Sequence, residues 1–299
     1  MRRLAEEINS QPQCWRQALD LRSKDLPEPG ERVAVIGCGS SLHIARAFAG
    51  LREAAGLGET DAFTPSEFPA SRPYDVVIAI TRSGTTTEAF EAVDQARRRY
   101  STHTVAITAD PTAPICAAAD STISVDFADE RSAVQTRFAT TALVLLRGHL
   151  GLIPHDLPEQ ATLALAAELP QGVTPDTEFT FLGTDWSNGV AALAALTVLE
   201  ASGCWAESYP ARDYRRGPVG AVGRGSLVWF FGLPPAGLLQ EVAGIGALTS
   251  VADRDPLADL IRVQRLAVHL AIARNHDPNR HYNLSGAPFW AGTPGLPGN

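Results

Sequence analysis

Short, unbroken apolar runs recur along this chain, each passing into a polar or glycine-rich turn and then into a stretch with helical spacing. The clearest is Val76-Val77-Ile78-Ala79-Ile80, which has no helical period and is rich in β-branched residues. That pattern suits a central strand of a parallel sheet covered on both faces. It predicts further strands at 33–36, near 62–64, at 103–108 and at 121–125. Helices fall over 44–55, 88–99 and 111–119, and another closes the unit near Leu150. Upstream, Leu4, Ile8, Trp15 and Leu19 share one side of residues 2–22 with charges between them. One amphipathic helix follows, packed against the body or a partner subunit. Alternating strands and helices of this length imply a parallel sheet with helices on both sides, whose ligands bind at the strands' carboxyl ends.

Pro154, Pro158 and Pro170 punctuate residues 151–172, which read as a connector. A second strand, turn and helix then open at 179–189 and echo 36–43, the mark of an internal duplication. The copy is imperfect, because its later strand at 227–232 runs into Leu233-Pro234-Pro235 with no hydroxyls. A long helix over 256–274 carries Leu257, Leu260, Ile261, Val263, Leu266 and Leu270 and precedes a Pro/Gly-rich tail. The expected organisation is an N-terminal helix in 1–29, a first domain at 30–150, the connector at 151–172, and a second domain with the tail at 173–299.

Candidate chemistry concentrates where the 76–80 strand ends. Thr81, Ser83, Thr85, Thr86 and Thr87 crowd that end, and Gly84 lets the backbone bend into the next helix. Hydroxyls and the amides of a helix start offer an oxyanion hydrogen bonds and the positive end of a dipole, so phosphate is the natural ligand. Helix capping is the plainer explanation, although one or two hydroxyls would satisfy it. A second polar turn, Gly37-Cys38-Gly39-Ser40-Ser41-Leu42-His43, lies on the same sheet edge. It invites a dinucleotide reading, but Leu42 stands where the third glycine of that fingerprint belongs, and Glu59 and Asp61 are expected to precede the second strand. No cofactor is expected.

Composition narrows the partners. With 299 residues, 45% of them hydrophobic, the chain can bury a large core and form two domains. A net charge of -8 argues against nucleic acid and anionic membrane. Lys24 is the only lysine among 25 basic residues and lies in a charged N-terminal stretch, so no Schiff base is expected. Cys14, Cys38, Cys116 and Cys204 are scattered with no CxxC pair, which suits reduced thiols in a cytoplasm. Residues 1–30 hold no signal-like apolar stretch, and no run approaches a membrane span. No two histidines share ligand spacing, so no metal is expected.

The two halves, the Gly-Cys-Gly-Ser-Ser turn and the Thr-Arg-Ser-Gly-Thr-Thr-Thr loop together resemble the sugar isomerase (SIS) domain family over roughly residues 30–290. Within it, the chain looks like the tandem members, which include phosphosugar isomerases, deaminases and deglycases. It implies two doubly wound, flavodoxin-like α/β domains in tandem. By the resemblance, Ser40, Ser41, Thr81, Ser83 and Thr86 hold the substrate phosphate, with Thr85 of the same loop a further binding candidate, and Gln135 and Thr136 help to line the sugar. A family glutamate that moves a proton between C1 and C2 matches Glu200. Its chemistry is sound, since an enediol mechanism needs one base that takes a proton from one carbon and returns it to the next. Burial beside Val198, Leu199 and Trp205 is expected to raise its pKa, although a helical glutamate of this kind can equally be a solvated one.

Two family residues are replaced. Family isomerases place a ring-opening histidine in a Lys-His-Gly-Pro loop, where this chain has Arg215-Arg216-Gly217-Pro218. Arg216 stays protonated and cannot shuttle a proton, but it can bind an anion. Gly286 falls where the family synthase has its Schiff-base lysine, and the start Met1-Arg2-Arg3 lacks that enzyme's amino-terminal cysteine, so neither the synthase reaction nor a preceding glutamine-hydrolysing domain is expected. His281 and His43 are candidate replacements for the histidine. The resemblance also implies a homodimer with a shared active site. The functional expectation is a phosphosugar isomerase. Deamination or deglycation of a 6-phosphosugar is the neighbouring alternative, and a non-catalytic sugar-phosphate sensor is the alternative of a different class.

Overall fold

In the computed structural model, which describes residues 2–98 and 102–279, the N-terminal stretch is two helices, α1 (Arg2–Asn9) and α2 (Gln11–Asp20). This corrects the single helix expected over 2–22. The break falls at Ser10, whose hydroxyl donates to the Glu7 carbonyl at 2.7 Å. Pro12 then sits in the first turn of α2, where its missing N–H leaves no bond unmade. Leu4, Ile8 and Trp15 are buried against the body of the chain, with Leu19 at the margin.

The first sheet follows in the order β1 (Val33–Gly37), α3 (Ser40–Ala54), β2 (Thr60–Phe63), β3 (Val76–Ile80), α4 (Thr87–Arg98), β4 (His103–Thr108), α5 (Ile115–Ala118) and β5 (Ser121–Ser124). Its strands are all parallel and lie side by side as β2-β1-β3-β4-β5. Every residue of β1 and β3 is buried, as continuous apolar runs require. Helices α6 (Arg137–His149) and α7 (Leu157–Ala166) lead to a second sheet. It comprises β6 (Glu178–Gly183), α8 (Ser187–Ser202), β7 (Ala206–Pro210), β8 (Ser226–Phe231), α9 (Leu238–Ile245) and β9 (Leu248–Val251), and α10 (Pro256–Ala273) comes last. The order β7-β6-β8-β9, again all parallel, repeats β2-β1-β3-β4 of the first sheet.

One large core joins a face of each sheet: Val35, Ile78 and Ile107 from the first, Phe181, Trp229 and Phe231 from the second, with α3, α6, α8 and α10 between. The outer faces have separate apolar clusters, around Val77, Ala79 and Val93 and around Val228, Phe230 and Val242. Helices therefore cover both sides of the sheets. Among the described residues, no helix is long and apolar enough to cross a membrane.

Helices α3 and α8 meet at small residues and run antiparallel. A Cβ on Gly50 would lie 3.1 Å from the Trp186 backbone, and one on Gly189 only 2.5 Å from the His43 carbonyl oxygen. At the other end, a Cβ on Gly39 would lie 4.0 Å from Leu196 Cδ2. Glu59 and Asp61 are tied into the protein rather than presented to a ligand. Glu59 pairs with Arg32 at 2.7 Å. Asp61, which lies inside β2 and not before it as expected, accepts from the Tyr74 hydroxyl at 2.6 Å.

Candidate functional site

The turns after β1 and β3 come together at the carboxyl edge of the first sheet. There Cys38, Ser41, Ile80, Thr81, Arg82, Ser83, Thr86, Ala89 and Gln135 enclose one cavity. Helix α3 begins at Ser40, earlier than the residue-44 start expected from apolar spacing, so the Ser40-Ser41 pair forms its first turn. Their polarity suits a helix start, whose amides have no intrahelical acceptor. Gly39 precedes them at a positive φ of 54°. Five of the expected residues share this cavity: Ser41, Thr81, Ser83, Thr86 and Gln135. Gln135 Oε1 is buried there with no hydrogen-bond partner in the chain.

Gly84 shapes the loop. Its φ is 61°, and an added Cβ would lie 2.4 Å from Ala113 Cβ and 2.8 Å from Ile115 Cγ2. Left-handed backbone and overpacking both penalise a larger residue. Gly84→Ala is therefore expected to cost about 2–4 kcal/mol in urea unfolding and to weaken oxyanion binding. A loss below about 1 kcal/mol would show that the loop relaxes around the methyl group.

The other expected residues sit elsewhere. Ser40 is buried and not on the cavity wall. Thr85 lies behind the wall, its hydroxyl donating to Ser83 Oγ at 2.9 Å. Thr136 is fully buried, and its hydroxyl donates to Glu130 Oε2 at 3.0 Å, so it faces inward rather than toward a ligand. His43 packs along α8, away from the wall. Burial first, and the Arg46 charge second, lower its pKa to about 4, which leaves a neutral ring and a weak base. Arg216 is exposed on the Tyr214–Arg216 turn and is not on the wall in its own chain. His281 lies outside the described residues, as does Gly286.

Glu200 is placed by helix packing. Leu196 is the side chain that a Cβ added at Gly39 would meet, and Glu200 follows it by four residues on the same face of α8, about 6 Å further along. The antiparallel packing thus sets Glu200 on the turn of α8 that lies beyond the start of α3. The glutamate is half-buried, and desolvation raises its pKa to about 7. Of the expected neighbours, Val198 is buried, whereas Leu199 is 45% and Trp205 70% exposed.

Several wall residues escaped the sequence reading. Arg82 was visible inside the hydroxyl motif but carried no assigned task. Its Nη1 donates to Asp129 Oδ1 at 3.2 Å and to the Glu130 carbonyl, while Thr108 Oγ1 holds the Arg82 carbonyl at 3.1 Å. Cys38 carries a thiol raised above its ordinary pKa by burial and then by Glu88, so it is protonated at neutral pH. All four cysteines are free. Among the described residues, no cluster of His, Cys, Asp and Glu could hold a metal ion.

Comparison with known proteins bears on the family and the fold. Residues 28–147 match the family model described as SIS domain. The chain is 26% identical over 314 residues to glutamine–fructose-6-phosphate aminotransferase (isomerizing) of Bacteroides thetaiotaomicron, an alignment covering 85% of this chain and 50% of that protein. It therefore spans about half the length of this curated relative. Among solved structures it is similar to glucosamine-6-phosphate deaminase from Thermotoga maritima, with a TM-score of 0.81, 21% identity and coverage of 95% and 98% of the two chains. It is also similar to tagatose-6-phosphate ketose/aldose isomerase from Escherichia coli, with a TM-score of 0.72, 17% identity and coverage of 96% of each. At these identities the structural likeness shows the fold.

Proposed function

We propose, for a chain that is a member of the SIS domain family through residues 28–147, that it binds a sugar phosphate at the Ser41–Thr81–Ser83–Thr86 cavity and isomerises it through an enediol. What supports this reading is the antiparallel packing of α8 on α3, which sets Glu200 one helical turn beyond Leu196, the residue nearest the Gly39 turn that leads into Ser41 on the cavity wall. Hydroxyls and helix-start amides bind the phosphate. Glu200, half-buried and with its pKa near neutrality, exchanges a proton between adjacent carbons. In this reading the second sheet is a diverged copy of the first, one that supplies the base rather than a cradle. Arg216, absent from the wall in its own chain, would be offered to the site of a second copy in a homodimer that shares its active sites.

Deamination of an amino-sugar phosphate uses the same proton transfer, and the similarity to a glucosamine-6-phosphate deaminase keeps it as the second reading. The test is proton NMR in D2O with hexose and amino-hexose 6-phosphates, followed for deuterium at C1 or C2 and for released ammonia. Deuterium entry without ammonia supports isomerisation, whereas ammonia release supports deamination. Thermal stabilisation by phosphosugars with neither product overturns the enzyme reading and leaves a sensor.

A further inference from the structure

We propose that Glu7 of α1 is a positioning residue for the sugar-lining side of the cavity, acting through the segment 130–137. The inference rests on the phosphosugar reading for the identity of the ligand, but the contacts stand without it. Glu7 is 4% exposed, and its Oε1 accepts the backbone N–H of Arg131 at 2.7 Å and that of Ser132 at 3.3 Å. Immediately before them, the fully buried Glu130 accepts from the amides of Thr136 and Arg137 at 2.8 and 3.1 Å and so caps α6. Two buried carboxylates therefore hold both ends of a loop that has no regular structure of its own. Gln135, the loop residue on the cavity wall, lies between these anchors.

The loop is also fastened to the oxyanion side. Arg82 bridges from the hydroxyl turn to Asp129 and to the Glu130 carbonyl, and Arg137 donates through Nε to the Asp129 carbonyl at 2.7 Å. Glu7 comes from outside these neighbouring elements and is the outside residue that accepts the loop's backbone amides; Ser10 and Asn279 reach the segment through side chains alone, accepting from Arg137 Nη1 at 3.0 Å and from the Ser132 hydroxyl at 3.1 Å. Burying one acid near another is unfavourable unless amides compensate it, and the Arg131 and Ser132 amides provide that compensation. Removing the carboxylate frees the loop and orphans two N–H groups, while the hydroxyl cradle keeps its own supports at Thr108 and Ile107. Sugar recognition and phosphate recognition should consequently separate.

Wild type, Glu7→Ala and Glu7→Gln are compared by hydrogen–deuterium exchange over 130–137 and by calorimetry with inorganic phosphate, fructose 6-phosphate and glucosamine 6-phosphate. Glu7→Ala is expected to speed exchange of the Arg131 and Ser132 amides and to weaken the bound phosphosugar roughly tenfold, with inorganic phosphate changed by less than about threefold. Glu7→Gln retains the Oε1 acceptor and is expected to restore the phosphosugar affinity. A general loss of packing would not produce that split or that rescue. Equal weakening of phosphate and phosphosugar overturns the proposal, and so does unchanged phosphosugar affinity with a folded Glu7→Ala chain. If Glu7→Ala does not fold, Glu7→Asp, one methylene too short to reach both amides, carries the same comparison. Failure of wild type to bind any of these ligands overturns the phosphosugar reading. Exchange then decides the tether alone, and unchanged protection of the two amides overturns it.

Discussion

Glu200→Gln is expected to lower turnover of the responsive phosphosugar roughly 10²–10⁴-fold, the usual worth of a positioned general base. KM should change little, because the phosphate cradle is on other elements. The substitution keeps the shape of the side chain and removes only the ability to accept a proton. It should also abolish deuterium entry from D2O. The wild-type profile of kcat/KM is expected to fall on its acid side, centred near the Glu200 pKa of about 7, because the protonated carboxyl cannot act as a base. Stability supplies an independent check. A carboxyl whose pKa is raised on folding binds more protons in the native state, so its contribution to stability declines as pH rises from the unfolded value toward about 7. Glutamine has no such cost. At pH 8, then, the variant should unfold at a temperature no lower than wild type while being nearly inactive. Full turnover by Glu200→Gln would remove the residue from the chemistry.

The central strands were legible because burial on both faces leaves an unbroken apolar run: Val33 to Ile36, Val76 to Ile80 and Leu227 to Phe231 all lie in strands as read. The edges of the second sheet were not. β7 (Ala206–Pro210) is polar and only half covered, and β9 (Leu248–Val251) is short, so neither has a run or an alternation to detect. Polarity misled in two directions at the site. The serines at 40 and 41 looked like a turn because helix starts and turns favour the same residues. Thr85 and Thr136 looked like ligand groups, yet their hydroxyls are directed to Ser83 and Glu130. Local spacing reports that a hydroxyl is present and not which way it points. The Glu7 contacts were invisible for another reason: their partners are far apart in sequence, and an acid on an amphipathic helix is normally solvated. Arg82 illustrates the same limit, since its task depends on Asp129 and Glu130, which only the fold brings near.

Asp255→Ala is expected to destabilise the fold by about 3–5 kcal/mol, with roughly 1 kcal/mol more from loss of a helix cap. Asp255 and Arg147 have side chains only 6% and 4% exposed and form a two-pronged pair, Nη1 to Oδ1 at 2.9 Å and Nη2 to Oδ2 at 2.7 Å. Asp255 Oδ1 also accepts the Leu257 N–H at 2.9 Å and so caps α10. The Arg147 guanidinium lies 4.6 Å from the centre of the Trp186 ring, beside the start of α8. This ion pair thus links α6, which follows the cavity's lining segment, to α10 and, through Trp186, to the start of α8, which carries Glu200. Alanine would leave a guanidinium buried with only the Leu152 carbonyl and the Trp186 ring as partners, and that uncompensated charge is the dominant cost. The double substitution Arg147→Met with Asp255→Ser separates charge from cap. It removes both ions and keeps a capping hydroxyl, so it should recover most of the loss, because a well-packed apolar replacement of a buried pair is often neutral. Urea unfolding of the single and double variants measures this directly. A single variant that loses less than about 1 kcal/mol would mean that water reaches Arg147. The pair would then be an accessory to the helix packing rather than the joint that sets where α8 presents Glu200.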